Sequence, residues 1–150
     1  MVNAFRDSDY WGPKGTTGHQ SWAEATVDSY NNYAMLTRDD TRRMIATDVK
    51  RDLVIPPHTL GVRIDVLLLD PKGYVPRVVL WDTNELTEER AQLYAAPVLL
   101  AAEEELGEGR VAEIEIVHLR SPVQLIVSVA DARLAVEEMV ATVGRILSQD

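Results

Sequence analysis

A chain of 150 residues with 46% apolar residues has the length and composition of one soluble domain with a continuous core. Charged residues form 26% of it and are spread through periodic apolar segments, which excludes disorder or low complexity over most of the length. The 15 Lys and Arg against 24 Asp and Glu leave a net charge of -9, which disfavours non-specific binding to nucleic acid or anionic membrane, and the absence of cysteine removes disulfides, thiolate nucleophiles and Cys-ligated zinc. No apolar run approaches the roughly 20 residues of a membrane-spanning helix. The start, Met1-Val2-Asn3-Ala4-Phe5-Arg6-Asp7, lacks the basic-then-apolar order of a signal peptide. The expected setting is the cytoplasm.

Residues 1–18 contain Gly12-Pro13-Lys14-Gly15 and few aliphatic side chains, so they are expected to form an N-terminal arm ahead of a domain over 19–150. Over 19–36, Trp22, Ala25, Tyr30 and Tyr33 recur at near-helical spacing, with Thr16, Thr17 or Ser21 available as a cap. A second helix is expected over 39–53, with Met44, Ile45, Val49 and Leu53 on one side and a stop before Pro56-Pro57. The run Val62-Arg63-Ile64-Asp65-Val66-Leu67-Leu68-Leu69 then reads as a strand. Asp70-Pro71-Lys72-Gly73 reads as a turn, and a second strand follows over 74–81. Both parities of the first strand are apolar, so both faces of this sheet are expected to be covered.

A helix is expected over 84–106, with Thr87 as its cap, Gly107 and Gly109 as its stop, and a kink at Pro97. Two strands follow over 111–119 and 124–129, and the alternating Glu113-Ile114-Glu115-Ile116 points to a half-exposed first member. The last helix, over 131–147, has Asp131 in its first turn, where the macrodipole favours acid. The order α, α, β, β, α, β, β, α predicts an α+β or α/β single domain with about four strands in a mixed sheet and helices on both faces. Trp11, Trp22 and Trp81 are expected in the core or under the arm. The Glu103-Glu104-Glu105 run is expected to be a solvated helix end.

Asp65 is conspicuous in an otherwise apolar strand, because a buried carboxylate needs a cation or hydrogen-bond donors, and Arg63 on the same face is the simplest partner. A turn centred on Pro71 and Lys72 sets Asp65 opposite Val78 and puts Leu80 and Asp82 on the same face. Two carboxylates meeting at the splayed end of a hairpin would suit Mg²⁺ or Mn²⁺, whose ligands are oxygens. The competing reading makes Asp82 the cap of a turn with Thr83 and Asn84.

The same hairpin, Gly61 to Leu69 and Tyr74 to Thr83, resembles the core of the RecB-like branch of the PD-(D/E)XK nuclease superfamily. The resemblance covers roughly 15–150 and implies a restriction-endonuclease-like core. It implies Asp65 as a metal-binding acid, Gln92 and Tyr94 on the following helix beside the cleft, and His19, in Gly15-Thr16-Thr17-Gly18-His19, as a ligand in members that use manganese. The pattern departs where the acid-x-Lys motif should end the second strand: Leu80 stands in the place of the second acid and Asp82 in that of the lysine. Leucine ligates no metal, and aspartate cannot replace a cation at a developing phosphate charge. Lys72, at the hairpin tip about seven residues from Asp65, would project roughly 20 Å away and cannot substitute.

These residues frame three expectations. The favoured one is a catalytically inactive nuclease-like domain that acts as a binding or regulatory module for a protein partner and keeps a residual Mn or Mg site at His19, Asp65 and Asp82. A second is an active Mg/Mn-dependent DNA nuclease with a rearranged site built from His19, Asp65 and Asp82, with Gln92 as a further catalytic residue, helped by the basic residues Arg38, Arg42, Arg43, Lys50 and Arg51; the net charge counts against it. The third is an acidic α+β chaperone or adaptor, similar in size, charge and element order to type III secretion chaperones, which would associate with itself through the sheet or the last helix.

Overall fold

The computed structural model describes residues 17–148, with side chains described for 24 and 26–142. The elements run α1 (Thr17–Thr37), β1 (Arg43–Ile55), β2 (His58–Asp70), β3 (Gly73–Leu80), α2 (Glu88–Leu106), β4 (Glu113–His118), β5 (Val123–Ser128) and α3 (Val129–Ser148). The fold is α+β, as expected, but its mixed sheet has five strands in the order β1-β2-β3-β4-β5. Three antiparallel steps and one parallel step, β3 to β4 across α2, connect them. The arm expected over 1–18 lies outside the described residues apart from Thr17 and Gly18, which open α1.

The fifth strand comes from 39–53, where a helix was expected. The strand is twice irregular: its register slips between Met44 and Ala46, and Asp48 takes a φ of 52°. Of the residues expected on one side of a helix, Val49 and Leu53 reach the core with Ala46, since positions four apart share a face in a strand as in a helix, whereas Met44 and Ile45 are exposed. β2 answers at the matching point. Val62, Ile64 and Leu67 join that core, whereas Val66 and Leu68 pack with Val75 on the opposite face.

The hairpin from β2 to β3 forms with the register the sequence implies, with Asp70 opposite Gly73 and Val66 opposite Arg77. Asp70 Oδ1 accepts the Lys72 N–H at 2.7 Å and fixes the turn. Gly73 is required there, because its φ is 144° and a Cβ would stand 2.7 Å from the Arg110 carbonyl oxygen. That close approach lets Tyr74 donate its N–H to the Arg110 carbonyl and accept the Ala112 N–H, both in the segment leading into β4.

One sheet face carries Val78, Leu80, Ile114, Ile116 and Val127 against α2 and α3. α2 presents alanines there, Ala91, Ala95, Ala101 and Ala102, so its backbone lies close to the strands, and Leu99 fills the remaining space. Thr87 caps α2 by accepting the Arg90 N–H, and Gly107 closes it with a bond to the Glu103 carbonyl. Glu103, read from sequence as solvated, instead holds Arg133 of α3 through both carboxylate oxygens, because the two helices pack side by side. α1 reaches the other face, where Asn32 donates to the Leu119 carbonyl at 2.7 Å and Tyr33 contacts Arg77.

The expected half-exposed strand 113–116 is a correction as well. Glu115 is 1% exposed and β4 is buried on both faces, because two arginines neutralise the carboxylate beneath α1 and Gln124 donates to it. Trp81, expected in the core or under the arm, is not in the core: it is 52% exposed, because β3 ends at Leu80, one residue before it, and the arm lies outside the described residues.

Candidate functional site

The parallel strands β3 and β4 end together, with Leu80 opposite His118 and the Leu119 N–H bonded to the Leu80 carbonyl. The chain turns away from both strands at that point, and α2 begins close by. In open sheets with parallel strands, such a carboxyl-terminal rim is where side chains from separate elements converge. Here Asp82 leaves the end of β3, Arg90 comes from the first turns of α2, and His118 ends β4.

Asp82 Oδ1 lies 3.2 Å from His118 Nε2 and accepts the Asn84 N–H at 3.1 Å; Oδ2 accepts from Arg90 at 3.0 Å. The turn-capping reading of Asp82 therefore holds, with two side-chain donors added. His118 is buried, and its Nδ1 accepts the Ser121 N–H and contacts Ser121 Oγ. With Nδ1 facing the Ser121 N–H, Nε2 is the ring nitrogen directed at Asp82. Burial raises the Asp82 carboxyl, but the bonds from His118 and Arg90 and the guanidinium charge outweigh it and hold the group below the usual carboxylate range. The row Ser121–His118–Asp82–Arg90 is thus a closed polar chain that ties the turn after β4 to the start of α2.

An exposed margin surrounds this chain. Arg90 stacks over the Tyr94 ring at 5.6 Å, and Trp81, Leu93 and Tyr94 are all exposed. Aromatic rings and an arginine at one corner of a domain are the side chains that dominate protein interfaces.

Asp65 is satisfied differently. The β2 to β3 pairing stops at Val66 and Arg77, and Asp65 Oδ2 takes over by accepting the Val79 N–H at 2.7 Å. Its Oδ1 pairs with Arg63 at 3.1 Å, and Arg63 also reaches Asp48 at 2.9 Å. The hairpin does splay at this end, yet Asp65 and Asp82 have separate partners. Gln92 lines a shallow cavity of about 130 Å³ with Glu88, Leu125 and Asp131, between α2 and β5. Tyr94 turns to Arg90. The His19 side chain lies outside the described residues. Among the described residues, no three His, Asp or Glu side chains stand close enough together to hold a metal ion.

A second charged cluster sits beneath α1, and the sequence reading missed it. Arg77, 3% exposed, donates to Glu115 Oε1 at 3.1 Å and to Asp40 at 2.6 Å; Arg42 bridges Asp40 and Glu115, and Gln124 donates to Glu115 at 2.9 Å. Two arginines face two carboxylates, so the buried group is neutral overall. Hydrogen bonds from Arg42 outweigh burial and keep Asp40 well below the ordinary carboxylate range. Arg42 is therefore no part of a free basic surface, and Arg38 and Arg51 are likewise paired, with Asp39 and Glu105. The only sequence signal for this cluster was the placement of Arg77 and Glu115 in strands of otherwise apolar character.

In comparison with known proteins, the chain matches no family model and has no match among curated proteins.

Proposed function

We propose that this chain is a non-hydrolytic, partner-binding domain on a nuclease-like scaffold, with the margin of Trp81, Arg90, Leu93 and Tyr94 around Asp82 as its docking surface for a protein. One observation carries the reading: the carboxylates that a metal-dependent nuclease would need free are saturated from within. Asp65 is held by Arg63 and the Val79 N–H, and Asp82 by Arg90, His118 and the Asn84 N–H. A hard cation would have to break these bonds and face the Arg63 and Arg90 charges. Asp82, which the resemblance puts in the place of the lysine, is thus a cap, and the observed α+β architecture with one mixed sheet supports the reading of a nuclease-like scaffold.

The deciding experiment is a calorimetric Mn²⁺ titration of the protein and of Asp65→Ala, with a DNA cleavage assay alongside. Neither protein is expected to bind Mn²⁺ stoichiometrically or cut DNA. Binding or cleavage that disappears in Asp65→Ala would overturn the reading. The docking half is tested by cross-linking in cells: Trp81→Ala is expected to lose a specific cross-linked species that wild type forms, and identical patterns would reject this surface.

A further inference from the structure

Three side chains at the rim stand in a row that the capping role of Asp82 does not use up. Ser121 Oγ lies 2.5 Å from His118 Nδ1, and His118 Nε2 lies 3.2 Å from Asp82 Oδ1. Hydroxyl, imidazole and carboxylate in that order form the arrangement in which a base takes the proton of a nucleophile while an acid holds the base, and it recurs on unrelated folds. Exposure follows the same order. Ser121 is exposed in the turn between β4 and β5, whereas His118 behind it is 2% exposed, so the hydroxyl is open to a reagent and the base is shielded. Arg120, the preceding residue, is exposed and makes no ion pair among the described residues, which leaves a positive charge beside Ser121 where an oxyanion would develop.

We propose that Ser121 is an activated nucleophile that takes an acyl group from an activated ester or thioester, with His118 as its general base and Asp82 positioning the ring. Ser121 Oγ bonds to the acyl carbon as its proton passes to His118 Nδ1. The carbonyl then re-forms, the bond to the leaving oxygen or sulfur breaks, and the proton moves from Nδ1 to the leaving group. The ring form that does this carries its proton on Nε2, toward Asp82 Oδ1, and the Ser121 N–H, 3.3 Å from Nδ1, favours that form. The two ring nitrogens are exchanged relative to the serine proteases, which leaves the proton path intact. Asp82 stabilises the imidazolium formed in passing, and the bonds from His118 and Arg90 that hold its carboxyl below the usual range keep it charged for that purpose. The step ends at the acylated serine. It goes beyond the docking reading and does not rest on it.

The test is labelling of the full chain with p-nitrophenyl acetate and, separately, with a fluorophosphonate, which bonds to the serine through phosphorus and releases fluoride. Peptide mass spectrometry identifies the modified residue. Ser121 is expected to react at least about tenfold faster than Ser128, an exposed serine at the far end of β5 whose hydroxyl accepts the Asp131 N–H. Ser121→Ala, exposed and so compatible with folding, is expected to abolish the fast label, and His118→Gln to slow it about 100-fold. Asp82→Asn is expected to slow it about tenfold with His118 present and to have no effect beside His118→Gln, because a residue that acts through the ring does nothing once the ring is gone; a merely structural role would slow both alike. Ser121 labelled no faster than Ser128 overturns the proposal, as does fast labelling that ignores His118→Gln. Should His118→Gln not fold, a Ser121 rate unchanged in Asp82→Asn overturns it instead. Cross-linking through Trp81 reads the docking surface separately from all of these.

Discussion

The two charged clusters hold similar residues and play opposite parts. Beneath α1, Arg77 and Glu115 are almost fully buried, and each has its full set of partners from four elements and the loop before β1. At the rim, the Asp82 and Arg90 side chains are about a third and a quarter exposed, within reach of solvent. The difference lies in solvent. A buried charge that loses its partner keeps its desolvation cost, whereas an exposed one is rehydrated. The buried cluster therefore constrains the fold, and the rim is where the surface can change without unfolding the domain.

The strongest way to break this comparison is Glu115→Ala, which leaves Arg77 without its carboxylate in the sheet. A loss of about 3–5 kcal/mol of unfolding free energy is expected by chemical denaturation. Replacing both members, Arg77→Met with Glu115→Leu, removes charge and partner together and should recover much of that loss. If the double variant is no better than the single one, the cost lies in packing and the electrostatic account fails.

Asp82→Ala is expected to cost less, about 1–2 kcal/mol, since it strands the buried His118 Nε2–H but lets Arg90 turn to water. A loss as large as that of Glu115→Ala would erase the distinction between the clusters.

Acid gives a graded view of the same contrast. The carboxyls of Asp40, Asp82 and Glu103 are all held below their ordinary values in the folded state. A depressed folded pKa contributes stability above the unfolded pKa, which is lost as pH falls through the folded one. Melting temperature should therefore stay flat from neutral pH to about 5 and drop below about 4, and Asp40→Asn should reduce that drop more than Asp82→Asn.

Much of the fold was legible because its signals are local. Thr87, Gly107, the Asp70-Pro71-Lys72-Gly73 turn and Asp131 each mark a boundary through chemistry within a few residues. What was hidden depended on non-local register or on irregularity. β1 looks helical because Val49 and Leu53, four apart, share a face in a strand as in a helix. Glu115 looked solvent-facing because alternation does not tell which face a helix will cover, and Arg77 pairs with it only through a parallel crossover 38 residues long. Asp82 was noticed for a metal, but its partner His118 lies 36 residues away on the neighbouring parallel strand, where no spacing rule leads. Asp65 was the reverse case: its simplest partner, Arg63, was visible two residues away and is the one it has.

The point where Asp65 replaces the ladder also divides the sheet in a mechanical sense. Beyond it, β2 is paired only with β1, so residues 48–65 form a two-stranded ribbon clipped down by Leu53, Val62, Ile64 and the Arg51–Glu105 pair. Few buried groups hold the ribbon compared with the centre of the sheet, and it ends in the Pro56-Pro57 turn. Its amides are therefore expected to exchange with solvent ahead of those of β3 and β4.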